Sequence, residues 1–153
     1  MNGDELDILL VEDNQDDMDL ALHALRREKL ANLIFVARDG EEALDFLFCR
    51  GAFAQRSFDH PPKLVLLDLK LPKVDGMEVL KQIKSDPRTK TIPIVIMTSS
   101  KEERDLVKGY DLGANSYIQK PVDFDQFRET VKSVGLYWLV INQPPPANGA
   151  RIG

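Results

Sequence analysis

Residues 64–68 read Leu64-Val65-Leu66-Leu67-Asp68, four consecutive apolar side chains closed by a carboxylate. A strand with one wet face alternates apolar and polar residues. An unbroken apolar run therefore implies burial on both faces, as in a parallel sheet covered by helices on each side. Ile94-Val95-Ile96-Met97 has the same character. Working outward, the strand candidates are Asp7 to Val11, Leu33 to Ala37, Leu64 to Leu67, Ile92 to Met97 and Ser116 to Gln119.

Between these runs the apolar spacing is helical: Met18, Ala21, Leu22 and Leu25, then Ala43, Leu44, Leu47 and Phe48, then Leu106, Val107 and Tyr110. Helix starts are marked by Asp39/Glu42, Ser100/Glu103 and Asp123/Gln126, acid or hydroxyl residues with Glu or Gln three positions on. Such pairs satisfy free N–H groups of a first turn. Gly113 stands where a C′ glycine would stop the fourth helix. Five βα units of this kind predict a doubly wound α/β sandwich with a parallel five-stranded sheet. Right-handed crossovers favour the order 2-1-3-4-5, with the switch point between strands 1 and 3. A functional site is expected at the carboxyl ends of those two strands.

A chain of 153 residues suits one domain and one core. Hydrophobic residues at 43% and charged residues at 29% are globular values, which argues against disorder and against a membrane protein. The first residues, Met1 to Asp7, carry acids and no basic-then-apolar pattern of a secretory signal, so a cytoplasmic protein is expected. The formal charge of −5 disfavours nucleic-acid binding, which needs clustered cations. Arg26-Arg27 and Lys81/Lys84 read as solvated helix faces. A single cysteine, Cys49, lies in a stretch that reads as helix. It permits no intramolecular disulfide and is expected to pack as a small hydrophobe. The Arg50–Pro62 connection is longer than usual between a helix and a strand, and residues 142–153 read as a proline-rich extended tail.

Strand 1 ends in Glu12-Asp13 and strand 3 in Asp68, so the topology gathers three carboxylates at one sheet edge. Left alone they repel, and a hard cation such as Mg²⁺, which takes a few carboxylate or carbonyl oxygens plus waters, resolves the repulsion. Asp16 and Asp17 are read instead as complements to the N-terminus of the first helix. Thr98 closes strand 4 and Lys120 closes strand 5 before Pro121. Phosphoryl transfer depends on positioning and charge stabilisation, and this set supplies both: a carboxylate nucleophile, a hydroxyl donor, an ammonium group and a metal site. The two histidines, His23 and His60, have no ligand partner at usable spacing.

Val11-Glu12-Asp13-Asn14, Leu66-Leu67-Asp68-Leu69, Met97-Thr98-Ser99-Ser100 and Gln119-Lys120-Pro121 resemble the motifs of response-regulator receiver domains. The likeness implies a flavodoxin-like receiver over residues 6–141, a signalling switch rather than an enzyme. In it Asp68 is the phosphoacceptor, Asp13 a Mg²⁺ ligand, Glu12 a second acid acting through metal-bound water, and the Lys70 carbonyl a further metal ligand. Thr98 matches the switch hydroxyl, Lys120 the phosphoryl-pairing lysine and Tyr117 the rotating aromatic, with Lys120-Pro121 expected cis. Lys70 and Ser100 fall at positions that vary within the family and flank the route of attacking water.

The implied phosphoryl donor is a sensor histidine kinase. With few residues after Trp138, output is expected through a partner. The last helix carries Phe127, Val131, Val134, Trp138 and Ile141 on one core-facing stripe, leaving Leu136, Tyr137, Leu139 and Val140 for an interface or for packing back on the domain. The long connection, the Leu-Pro-Lys-Val-Asp-Gly segment and the Tyr-Trp-Leu ending are similar to single-domain regulators paired with bacterial phytochrome kinases. That subfamily implies a light input and a homodimer through the fourth helix, fifth strand and fifth helix. Phosphatases of the haloacid dehalogenase type place a second Asp where Lys70 stands, and a flavin binder wants a Gly- or Ser/Thr-rich first turn where this one is acidic. The remaining alternative is a receiver-like interaction module that is not phosphorylated.

Overall fold

The computed structural model describes residues 8–27, 33–98, 113 and 116–119, with Arg27, Thr98 and residues 116–119 described by backbone alone. The five strands are β1 (Ile8–Val11), β2 (Ile34–Ala37), β3 (Leu64–Asp68), β4 (Ile94–Thr98) and β5 (Ser116–Gln119). All pairings are parallel, in the order β2-β1-β3-β4-β5. This is the flavodoxin-like arrangement expected from the apolar runs. The strand at Ile92–Met97 is shifted, beginning at Ile94. Pro93 has no N–H to donate to a ladder, and it enters the sheet only as an acceptor, its carbonyl taking the Val65 N–H at 3.0 Å.

Three helices lie among the described residues: α1 (Gln15–Arg27), α2 (Gly40–Leu47) and α3 (Gly76–Ser85). Each strand divides its side chains between two layers. Ile8 and Leu10 of β1, Leu64 and Leu66 of β3, and Val95 and Met97 of β4 pack with Met18, Ala21, Ala24 and Leu25 of α1. Leu9 and Val11, Val65 and Leu67, and Ile94 and Ile96 face the other way, onto Ala43, Leu44 and Leu47 of α2 and Val79, Leu80 and Ile83 of α3. The unbroken apolar runs are thus explained by burial on both faces, and every residue of β1 and β3 is buried.

Local signals set the helix starts. The Asp39 carboxylate accepts the Glu42 N–H at 2.7 Å, and Glu42 reaches back to accept the Arg38 N–H at 2.9 Å, a capping box displaced by one residue. Asn14 caps α1 by accepting the Asp17 N–H at 2.9 Å, and Asp16 and Asp17 occupy its first turn, as expected for acids at a helix N-terminus. Asp75 caps α3. Gly113 has φ +101, in keeping with a C′ glycine, and a β-carbon there would crowd the Lys84 side chain. Cys49 departs from expectation. The helix ends at Leu47, and Cys49 follows the Phe48 cap with φ 55, half-buried rather than on a core-facing turn. Helices four and five, the Ser100/Glu103 and Asp123/Gln126 caps, the apolar stripe from Phe127 to Ile141 and the tail lie outside the described residues.

Candidate functional site

β1 and β3 are neighbours although β2 lies between them in sequence, and the connections leave β1 and β3 toward different layers. Such a switch point opens a crevice at the strand ends. The register pairs Val11 with Leu67, so Glu12 and Asp68 follow side by side. Parity puts both on the α1 side, continuing Ile8-Leu10 and Leu64-Leu66.

Both carboxylates are held in the protein: Glu12 is 1% exposed and Asp68 6% exposed, whereas Asp13 beside them is exposed. One oxygen from each of Glu12, Asp13 and Asp68 lies within 4.8 Å of the other two. An octahedral cation with ligands at about 2.1 Å spans about 3.0 Å between adjacent oxygens and about 4.2 Å across the centre. The cluster therefore closes on a divalent ion with a shift of a few tenths of an ångström. Backbone amides orient it. Asn14 N–H donates to Glu12 Oε2 at 3.2 Å, and Lys70 N–H donates to Asp68 Oδ1 at 3.1 Å.

The loop between β3 and α3 forms one wall. Asp13, Leu69, Lys70, Leu71, Pro72, Asp75 and Met77 line a groove of about 480 Å³. Two glycines let this loop pack closely. A β-carbon on Gly76 would run into the backbone of Asp68 and Leu69, and one on Gly40 into the carbonyl of Val74. The chain makes bonds through these contacts: Gly76 N–H donates to Leu69 O at 3.0 Å and Gly40 N–H to Pro72 O at 3.3 Å. Lys73, at φ 67, places its ammonium 3.7 Å from both Asp39 Oδ2 and Glu41 Oε1, tying the loop to the first turn of α2.

Of the expected site residues, Glu12, Asp13, Asp68 and Lys70 are brought together at this edge. Thr98 ends β4 and Tyr117 lies in β5, paired with Ile96, so their backbones stand on the strands anticipated for them. Lys120 and Ser100 lie outside the described residues. The groove wall at Gly40, Gly76 and Lys73 was not anticipated. Its signal was present as two Asp-Gly pairs, Asp39-Gly40 and Asp75-Gly76, each an N-cap followed by a residue that admits a close backbone.

A parallel sheet of this order with an acidic cluster at its switch point defines a receiver-type α/β domain. The response regulator receiver domain profile matches residues 8–132, and the chain belongs to that family. It is 44% identical over 138 residues to "Probable methanogenesis regulatory protein FilR2" of Methanothrix harundinacea, covering 90% of this chain and 86% of that one. It is 37% identical over 132 residues to Response regulator Rcp1 of Synechocystis, covering 86% and 88%. The Mn(2+)-bound form of Rcp1 superposes with a TM-score of 0.81 at 36% identity over 90% of this chain and 97% of that one. The phosphorylated cyanobacterial phytochrome response regulator RcpA gives 0.84 at 41% identity, covering 92% and 99%.

The chain is thus a two-component signalling protein homologous to phytochrome response regulators, and family membership implies a histidine kinase partner and a divalent metal at the acidic cluster. Among the described residues no helix is long and apolar enough to cross a membrane.

Proposed function

We propose that Asp68 accepts a phosphoryl group from a sensor histidine kinase of the phytochrome class, in a reaction that requires Mg²⁺. The observation that carries this reading is the convergence of Glu12, Asp13 and Asp68 at the β1/β3 switch point. Its support for a phytochrome input is the likeness to RcpA.

An Asp68 carboxylate oxygen attacks phosphorus, the new O–P bond forms as the N–P bond of phosphohistidine breaks, and the imidazole leaves with the electron pair. The Lys70 N–H on Asp68 Oδ1 fixes the carboxylate's rotation for that attack. Asp13, Asp68 and the Lys70 carbonyl would hold Mg²⁺, with Glu12 acting through its water. The bound ion supplies charge neutralisation of the phosphoryl oxygens. Thr98 donates a hydrogen bond to the phosphoryl group and Lys120 pairs with another of its oxygens, a differential contact that favours the active conformation, with Tyr117 moving in step. Hydrolysis of the aspartyl phosphate by the same site resets the switch. Output is a homodimer through the fourth helix, β5 and the fifth helix of a cytoplasmic protein that does not bind nucleic acid.

The test is incubation of wild type and Asp68→Asn with acetyl phosphate, with Mg²⁺ or with EDTA, read by intact mass and size-exclusion elution. One phosphoryl group is expected on wild type with Mg²⁺ only, accompanied by an elution shift. No labelling would make this chain a receiver-like interaction module, and labelling without an elution shift would remove assembly as the output.

A further inference from the structure

The connection from α2 to β3 is ordered by an aromatic cluster. Phe35 of β2 stacks on Phe46 of α2 at 4.5 Å and 10°, and Phe53, in the single 3-10 turn Gly51–Phe53, meets both rings edge-on at 5.3 and 5.1 Å. Arg56 lies 3.8 Å over the Phe46 ring, donates to the Phe46 carbonyl, and donates to His60 O at 3.0 Å. Beside it, the exposed Arg88 lies 4.3 Å over Phe58, and the exposed Arg50 lies 5.5 Å over Phe48.

The three guanidinium groups differ in their partners. Arg50 is paired with Asp45 and Arg88 with Asp86, each at 2.9 Å. Arg56 is half-buried, and among the described residues no carboxylate pairs with it and nothing accepts its Nε–H. Burial also pulls its pKa below the ordinary value. A desolvated cation with an open donor edge is complementary to a carboxylate, which arginine binds through two N–H groups at once. Arg56 faces a cavity of about 400 Å³ lined also by Ala52, Phe53, Gln55, Ser57 and His60. That volume lies within the range of sites for multi-atom ligands, about 300–1,000 Å³, and its wall is partly apolar, so a lone inorganic anion would fill it poorly.

We propose that this surface docks an acidic segment of a partner protein, with a carboxylate on Arg56 and a neighbouring aliphatic side chain against Ala52 and Phe53. Charge complementarity favours that occupant: in a chain of net charge −5, this corner presents Arg50, Arg56 and Arg88 together around Phe48 and Phe58. The parallel strands all run toward Asp68, and this loop precedes β3, so the surface lies at the opposite end of the sheet. Docking here is therefore independent of phosphorylation and holds the partner in both states.

The test uses the full chain and a fluorescein-labelled peptide of alternating glutamate and leucine, with the glutamine peptide as control, read by anisotropy at low salt. The glutamate peptide is expected to bind and the control not. Arg56→Gln should weaken binding about tenfold. Arg56→Lys should fall between, and Arg50→Gln/Arg88→Gln should lose mainly salt dependence. Unchanged thermal midpoints establish that the variants are folded. Asp68→Asn and acetyl phosphate should leave binding unaltered, which separates this inference from the phosphoacceptor reading. Equal binding of the two peptides, wild-type affinity in Arg56→Gln, or full displacement by inorganic phosphate at peptide concentration would overturn it. So would Arg56-dependent capture by phosphatidylserine vesicles without peptide binding.

Discussion

Replacing Asp68 with Asn should stabilise the metal-free protein. With one oxygen of each of Glu12, Asp13 and Asp68 within 4.8 Å of the others, each pair repels by about 1 kcal/mol at the dielectric of water and about 3.5 kcal/mol at an effective value near 20. The Glu12–Asp68 pair is buried and belongs near the upper figure; pairs with the exposed Asp13 belong near the lower. The substitution would remove two of the three pairs, while the new amide oxygen could still accept the Lys70 N–H that Asp68 accepts. After relaxation and screening, a gain of about 2 kcal/mol is expected, a rise in Tm of about 4–8 °C for a chain of this size. Thermal unfolding in EDTA measures it. Mg²⁺ at about a hundred times its Kd should then return about 2.7 kcal/mol to wild type and less to the variant, which has lost an anionic ligand, so the gap closes or inverts. A variant no more stable than wild type in EDTA, or equal Mg²⁺ stabilisation of both, would refute the claim that these carboxylates form one strained metal site.

Gly76→Ala should cost about 2–4 kcal/mol, because its β-carbon meets the backbone of Asp68 and Leu69 and no flexible side chain can yield; the urea midpoint reports the loss. Lys84 donates to the Lys90 and Ile92 carbonyls at 2.9 and 2.7 Å, and its burial lowers the folded-state pKa from 10.5 to about 8. Between those values the unfolded chain binds more protons, so stability should rise as pH climbs from about 8 toward about 10.5. Lys84→Met should flatten that rise in urea unfolding at several pH values, and an unchanged slope would assign it to another group.

The sheet was legible because its determinants are local. Apolar runs long enough to be buried on both faces sit in a repeating βα order, and handedness does the rest. The errors are local too: Pro93 trims the start of β4, and Cys49 falls beyond the helix that the Ala43–Phe48 spacing suggested. Glu12 and Asp68 were readable from strand ends and parity. The groove wall was less so, since the Lys73 ion pairs with Asp39 and Glu41 join segments far apart in sequence. Likewise the ordering of the Arg50–Pro62 connection rests on Phe35, Phe46 and Phe53, three residues whose meeting depends on the fold already being in place.

The acidic cluster draws on chain segments separated by the whole of β2 and α2: Glu12 and Asp13 follow β1, and Asp68 ends β3. Bringing such segments together carries a loop-closure cost that only the finished β1–β3 pairing offsets. A cation bridging them can therefore bind tightly only to a chain in which those strands are already in register, so metal affinity is coupled to the integrity of that pairing. The apolar layers on both faces of β1 and β3 act as the counterweight to the electrostatic strain at their ends. Weakening either layer beneath the site, at Leu10 or Leu66 for instance, should loosen metal binding as well as lower stability, although neither side chain is a ligand.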